Sequence, residues 1–141
     1  MSINFYIEGI SGLHLAKVNL RSWIRSAIKE ENKRAGDLNF IFCNDEYLLL
    51  INQQYLGHDY YTDIITFDYV TGIVISGDIY ISVERVKENA GVYHVSFENE
   101  LSRIMIHGVL HLLGYQDKEV EQKRIMTQKE DYYLKKIEEL P

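Results

Sequence analysis

His107-Gly108-Val109-Leu110-His111-Leu112-Leu113-Gly114-Tyr115-Gln116-Asp117 reads HGVLHLLGYQD. Two histidines stand four residues apart, a glycine comes three after the second, and an aspartate comes six after it. Positions four apart on an α-helix share a face, with Cβ atoms about 5–6 Å apart. That spacing lets two imidazole nitrogens converge on one ion at about 2.0–2.1 Å. Leu101, Ile104, Ile106, Val109, Leu110, Leu112 and Leu113 supply the apolar mass that buries the helix. Glu100, Arg103, His107, His111 and Gly114 share the remaining face. Unpaired buried polar groups cost about 1–3 kcal/mol each, so this stripe needs a partner.

Gly114 supplies the left-handed conformation that ends a helix and folds the chain back. The return brings Asp117 to a place where its carboxylate completes a three-ligand set with His107 and His111. Two histidines and a carboxylate leave one tetrahedral position for water, which is the pattern of a catalytic zinc site rather than a structural one. An H-x3-H pair also arises on helices by chance; the glycine stop and the acidic residue beyond it favour the metal. The HExxH arrangement of zinc peptidases puts a general base directly after the first histidine. Gly108 stands there instead, which removes the base of that mechanism. A glycine at this position is also expected to clear bulk beside the metal for a large substrate.

The 141 residues suffice for one domain with a core, expected over 1–141. No apolar run reaches the roughly 18 residues of a membrane span. The opening MSINFYIEGISGLHL lacks a signal-peptide layout, and the single Cys43 forms no internal disulfide. A cytoplasmic location is expected. The net charge of −6 argues against nonspecific coating of nucleic acid, yet residues 1–34 carry +3 while 35–116 carry −8. A local basic surface on an acidic protein is compatible with these figures.

Periodicity predicts strands at Ile3–Ile7, Leu38–Cys43, Ile64–Tyr69 and Ile73–Val83, the last two joined by a turn at Val70-Thr71-Gly72. Helices are predicted over Leu13–Arg34, after a cap at Asn44 or Asp45 with Tyr47, Leu48, Leu50 and Ile51 inward, and over Glu84–Gly91. Two more run from Ser96 to about Leu113 and over Glu119–Ile137. The class is α+β: a small mixed sheet of about four strands packed with about five helices, with the metal site at the end of the histidine helix.

HGVLHLLGYQD closely resembles the HGxLHLxGYDH signature of the YbeY family, metal-dependent endoribonucleases specific for single strands in bacterial ribosomal RNA maturation. Thr62-Asp63-Ile64-Ile65-Thr66-Phe67 resembles the family's TDVLSF strand, with Ile51-Asn52 where the family has LN. Gly77-Asp78-Ile79-Tyr80-Ile81-Ser82 resembles its GDIxIS strand, and Glu100-Leu101-Ser102-Arg103 its E-L-x-R. The resemblance implies a zinc-dependent endoribonuclease with one Zn2+ per chain, acting on single-stranded ribosomal RNA in small-subunit maturation and ribosome quality control. It also implies the small ribosomal subunit as partner, no membrane, and a monomer.

Two positions depart from the pattern. The family's third ligand is usually the histidine of DH, where this chain has Gln116-Asp117; His107 and His111 carry over directly and Asp117 by substitution. Zinc accepts Asp at about 2.0–2.2 Å, and the harder ligand widens the choice of metal toward manganese or iron. Family members typically carry an arginine at Leu56, thought to contact phosphate. Replacement cations are the stripe Lys17, Arg21, Arg25 and Lys29, or His58.

No residue type dictates the general base. Glu100 and Asp78 are candidates, each also able to orient a ligand histidine. Arg103 either stabilises phosphate charge or pairs with Glu100, Tyr115 either stacks on a base or packs, and Cys43 sits in the sheet. Competing readings are another metal hydrolase such as a peptidase, a non-haem iron oxygenase, and a non-catalytic ribosome assembly factor with a structural metal.

Overall fold

The computed structural model describes residues 1–138; Pro141 lies outside them. The elements run β1 (Ile3–Ile7), α1 (Lys17–Glu30), β2 (Arg34–Cys43), α2 (Asp45–Leu56), β3 (Ile64–Asp68), β4 (Val74–Ser82), α3 (Val83–Tyr93), α4 (Phe97–Leu112) and α5 (Val120–Glu138). The sheet order is β1-β2-β4-β3; β1, β2 and β4 are parallel, and β3 is antiparallel to β4. The α+β class with a mixed four-stranded sheet is the one expected.

Side chains alternate between the two faces of a strand, and both faces of this sheet are covered. Phe40, Phe42, Ile79 and Ile81 point into the main core with Trp23 and Ile24 of α1, Met105 and Val109 of α4, and Tyr133 of α5. Cys43 and Ile65 point the other way, against Leu48 and Ile51 of α2. The indole of Trp23 donates to the Tyr133 carbonyl at 2.7 Å, which satisfies the one polar atom of a large buried ring.

Several boundaries differ from the periodicity. Helix α1 begins four residues later than expected, because Gly9 and Gly12 take left-handed φ and the chain arrives extended. Leu13 and Leu15 pack against the core from that extended segment, so the three-four spacing of Leu13 to Ala16 and Leu20 imitates a helix that begins only at Lys17. The helix stops at Glu30, with Asn32 at φ 62° and the Lys33 N–H returning to the Ile28 carbonyl at 3.1 Å. That early stop frees Arg34–Asp37 to begin β2. Asn44 is the cap of α2, accepting from the Tyr47 N–H at 2.8 Å. Leu50, expected inward, is exposed on the outer side of that helix. Helix α3 runs past Gly91 to Tyr93 and ends on His94 in the left-handed region.

Helix α4 starts on Ser96, whose hydroxyl accepts from the Asn99 N–H at 3.0 Å; Glu98 and Glu100 complement the positive end of the helix dipole. It crosses the sheet at Gly108. A Cβ there would meet carbons of Ile79 and Ile64 at 3.0–3.1 Å. The glycine therefore faces the sheet and sets how closely the helix approaches it; it does not clear space beside the histidines, as the sequence had suggested. Overfilling a packed interface costs about 1–3 kcal/mol. Gly108→Leu should lower stability by at least that amount, seen as a reduced midpoint in urea.

Glu31 anchors the far end of this assembly. Its carboxylate accepts from the hydroxyls of Tyr115 (2.6 Å) and Tyr133 and from Lys129 (3.0 Å), tying the end of α1 to the α4–α5 turn and to α5. Burial alone would raise its pKa; the three donors outweigh it and hold the carboxyl below its usual range. A depressed native pKa contributes stability above the unfolded value and loses it as pH falls through the native one. Glu31→Ala should cost about 1.5–3 kcal/mol at pH 7. The deficit should shrink as unfolding is repeated below about pH 4, where the free carboxyl titrates.

Candidate metal centre

The end of α4 closes as the glycine predicted. Gly114 takes φ 106°, its N–H reaches the His111 carbonyl at 3.0 Å, and the Tyr115 N–H reaches the Leu110 carbonyl at 3.0 Å. The chain then folds back and delivers Asp117. Nε2 of His107 and Nε2 of His111 lie 3.0 Å apart, and the Asp117 Oδ2 lies 3.3 Å from each. An ion with four ligands at about 2.0–2.1 Å spaces neighbouring donor atoms about 3.3–3.4 Å apart. The three predicted residues thus converge at the separations one small cation requires, and all three are half-buried.

The outer nitrogens explain why the inner ones face inward. His111 Nδ1 is 3.0 Å from the Tyr115 carbonyl, which can only accept, so Nδ1 carries the proton. His107 Nδ1 is 2.6 Å from Oε2 of Glu130, a residue of α5 that is 7% exposed. Burial alone would lower the His107 pKa; the Glu130 carboxylate, with Asp117 and Asp63 behind it, raises it above the usual value. Such outer partners orient a ligand imidazole and increase its basicity. Arg103 completes the chain: Nη1 donates to Glu130 Oε1 at 2.9 Å and Nη2 to Asp131 at 2.6 Å.

Other expectations need correction. Arg103 pairs with Glu130 and Asp131, not with Glu100. Asp78 accepts from Asn39 at 2.9 Å, and Asn39 in turn from Asn4 at 3.0 Å, in a polar ladder across the sheet. Its neighbour Ile79 meets α4, so Asp78 points to the opposite face and neither acts at the histidines nor orients them. Glu100 lines a cavity of about 500 Å3 that also contains His107, Glu130 and Asp63. Tyr115 packs: its hydroxyl binds Glu31 and the Lys129 ammonium lies 5.6 Å over its ring. Cys43 is fully buried in β2, as expected; burial, with Asp45 and Glu8 nearby, pushes its thiol up to about 12.

A second cavity, about 570 Å3, holds Leu56, His58, Tyr60 and Lys118. His58 stacks on Tyr60 with centroids 5.2 Å apart and shares a 3.0 Å hydrogen bond with its hydroxyl. Of the stripe on α1, Arg21 donates to the Ile3 carbonyl at 2.8 Å and lies over Phe5, and none of the four cations lines either cavity. The cation beside Leu56 is therefore Lys118, with the imidazole of His58 in the same cavity. Sequence reasoning missed Lys118, although it adjoins Asp117, and missed Glu130, which nothing local marks.

Among the described residues no helix is long and apolar enough to cross a membrane. The family model for Endoribonuclease YbeY matches residues 10–138. An Endoribonuclease YbeY of Flavobacterium psychrophilum is 58% identical over 114 residues, 81% of each chain. One of Christiangramia forsetii is 50% identical over 129 residues, 92% of this chain and 90% of the relative. The solution structure of TM1509 from Thermotoga maritima superposes with a TM-score of 0.66 at 31% identity, covering 94% of this chain and 88% of that one. With a family match over nearly its whole length and a histidine helix whose donor atoms converge with Asp117 as a cluster that could hold an ion, the chain belongs to the Endoribonuclease YbeY family.

Proposed function

We propose that this chain is a zinc-dependent endoribonuclease that cuts single-stranded ribosomal RNA during small-subunit maturation and ribosome quality control. On this reading it works in the cytoplasm as a monomer and a single domain, on the small ribosomal subunit, with one Zn2+ held by His107, His111 and Asp117. The observation that carries it is the convergence of those three donor atoms at 3.0–3.3 Å in a member of this family.

An ion bound there supplies Lewis acidity at the reacting phosphate and acidifies water. The chain's own residues do the rest. Glu130 and the Tyr115 carbonyl hold the outer protons of the two imidazoles, which leaves both inner lone pairs facing one point. Asp117 adds an anion on the solvent side, and Lys118 offers positive charge, with the His58 imidazole beside it, where the backbone of a bound strand passes. Gly108 leaves no side chain able to serve as the base of a peptidase. A non-catalytic assembly factor is the second reading, favoured by Leu56, which has no charge to give a phosphate.

Incubation with single-stranded RNA tests the two. Cleavage that disappears with chelator and in His111→Ala, at matched folding, supports the nuclease. Equal residual cleavage in wild type and His111→Ala would mean a contaminant. Metal analysis should find one zinc per chain, falling well below that in Asp117→Ala; stoichiometric zinc at unchanged affinity in that variant would remove Asp117 from the ligand set. Glu130→Gln should weaken zinc affinity roughly 10–100-fold, as loss of such outer partners does, read by competition with a chromogenic chelator.

A further inference from the structure

Glu100 is a buried carboxylate that the histidine centre leaves unused. It is 6% exposed, and among the described residues it has no hydrogen-bonding or ion-pair partner. No sealed side-chain polar atom lacks a partner, so its oxygens open into the 500 Å3 cavity that it lines with Asp63, Asn99 and Tyr93. Burial holds its carboxyl above the usual range, the mark of a group short of donors. Seven residues before His107, it lies about 10 Å along the helix at 1.5 Å per residue. The outer ring nitrogens of the two histidines are held by Glu130 and the Tyr115 carbonyl instead.

What would satisfy it is limited by its neighbours. A phosphate is repelled by Glu100 and Asp63. A second cation is disfavoured, because the Arg103 guanidinium lies in the same cavity and already occupies Glu130 and Asp131. Among the described residues the group able to hold an ion is His107, His111 and Asp117. A neutral, donor-rich, planar group fits instead. Single-stranded RNA is read through the pairing edges of splayed bases stacked on aromatic rings. Guanine alone presents two adjacent N–H donors on that edge, which one carboxylate accepts together. Uracil flanks its single N–H with two carbonyls, and adenine and cytosine set one amino group beside an acceptor nitrogen.

We infer that this cavity receives a guanine of the strand whose phosphate lies at the histidine centre. Glu100 accepts from its N1 and N2, the Asn99 amide faces its O6, and Tyr93, 63% exposed at the mouth, supplies the stacking surface. The inference rests on the nuclease reading for its substrate, but the pocket is tested apart from it.

The full chain as purified is titrated with fluorescent, uncleavable 2′-O-methyl oligouridylates carrying one central G, A, C or U, and cleavage of the matching RNAs is mapped. Guanine should be preferred roughly tenfold, the scale of one good bidentate pair. Glu100→Gln should bring the four bases within about twofold of each other while melting like wild type. Tyr93→Ala, an exposed change that leaves the core intact, should weaken all four alike and keep the preference. Equal binding of all four by wild type, or an intact preference in Glu100→Gln, overturns the pocket. Cleavage without base preference overturns it while leaving the nuclease standing; guanine-selective binding without cleavage upholds it and sinks the nuclease.

Discussion

A single carboxylate, Glu130, binds a guanidinium with one oxygen and an imidazole with the other, and the arrangement of the histidine centre hangs on it. Withdrawing such charges from water costs several kcal/mol per ion, repaid only by close geometry and saturated hydrogen bonding. Both conditions are met: the contacts are 2.9 and 2.6 Å, and Arg103 spends its second terminal nitrogen on Asp131. The chain crosses from α4 to α5, so the two helices can pack correctly only when His107 is turned the right way. Stability and imidazole orientation are one constraint here.

The same economy appears at the other histidine. His111 is held by a backbone carbonyl, that of Tyr115, whose place is set by the Gly114 turn within and by Glu31 from outside. Three donors on Glu31 draw α1, the turn and α5 together about 80–100 residues apart in sequence. The imidazole–carbonyl contact is thus stiffened by a surface-side hub that never touches the centre. Gly108 adds the remaining constraint by seating α4 directly on Ile79 and Ile64, which fixes the height of both rings above the sheet.

How much of this was legible follows from the range of each interaction. His107 and His111 were readable because helical periodicity is local, and Asp117 because a left-handed glycine reverses the chain within a few residues. The caps Ser96 and Asn44 were readable for the same reason. Glu130 was not: it lies 23 residues from its partner, in a run of charged residues that a surface helix would carry anyway. Asp78 was misjudged because strand parity, a matter of one residue, decides which side of a sheet a carboxylate serves. The start of α1 was misjudged because Leu13 reaches the core from an extended segment while standing three and seven residues before Ala16 and Leu20, the spacing a helix would show. Lys118 and the two cavities needed the packing itself.

The charge pattern around the centre explains how an acidic chain is reconciled with a polyanionic substrate under the proposed reading. One flank, with Asp63, Glu100, Glu130 and Asp131, repels phosphate; the other carries the Lys118 ammonium. A strand lying across the histidines is oriented by that difference, its backbone drawn to the second flank and its bases turned to the first. Asp117 sharpens the demand on the cations. A carboxylate in place of a third imidazole lowers the formal charge of a divalent centre from +2 to +1, which weakens its own pull on phosphate and on the proton of bound water. With Leu56 where the family typically has an arginine, less attraction comes from two places at once. Lys118, adjacent in sequence to the residue that lowers the charge and exposed in the cavity with Leu56, is placed to return one positive charge on that side of the centre.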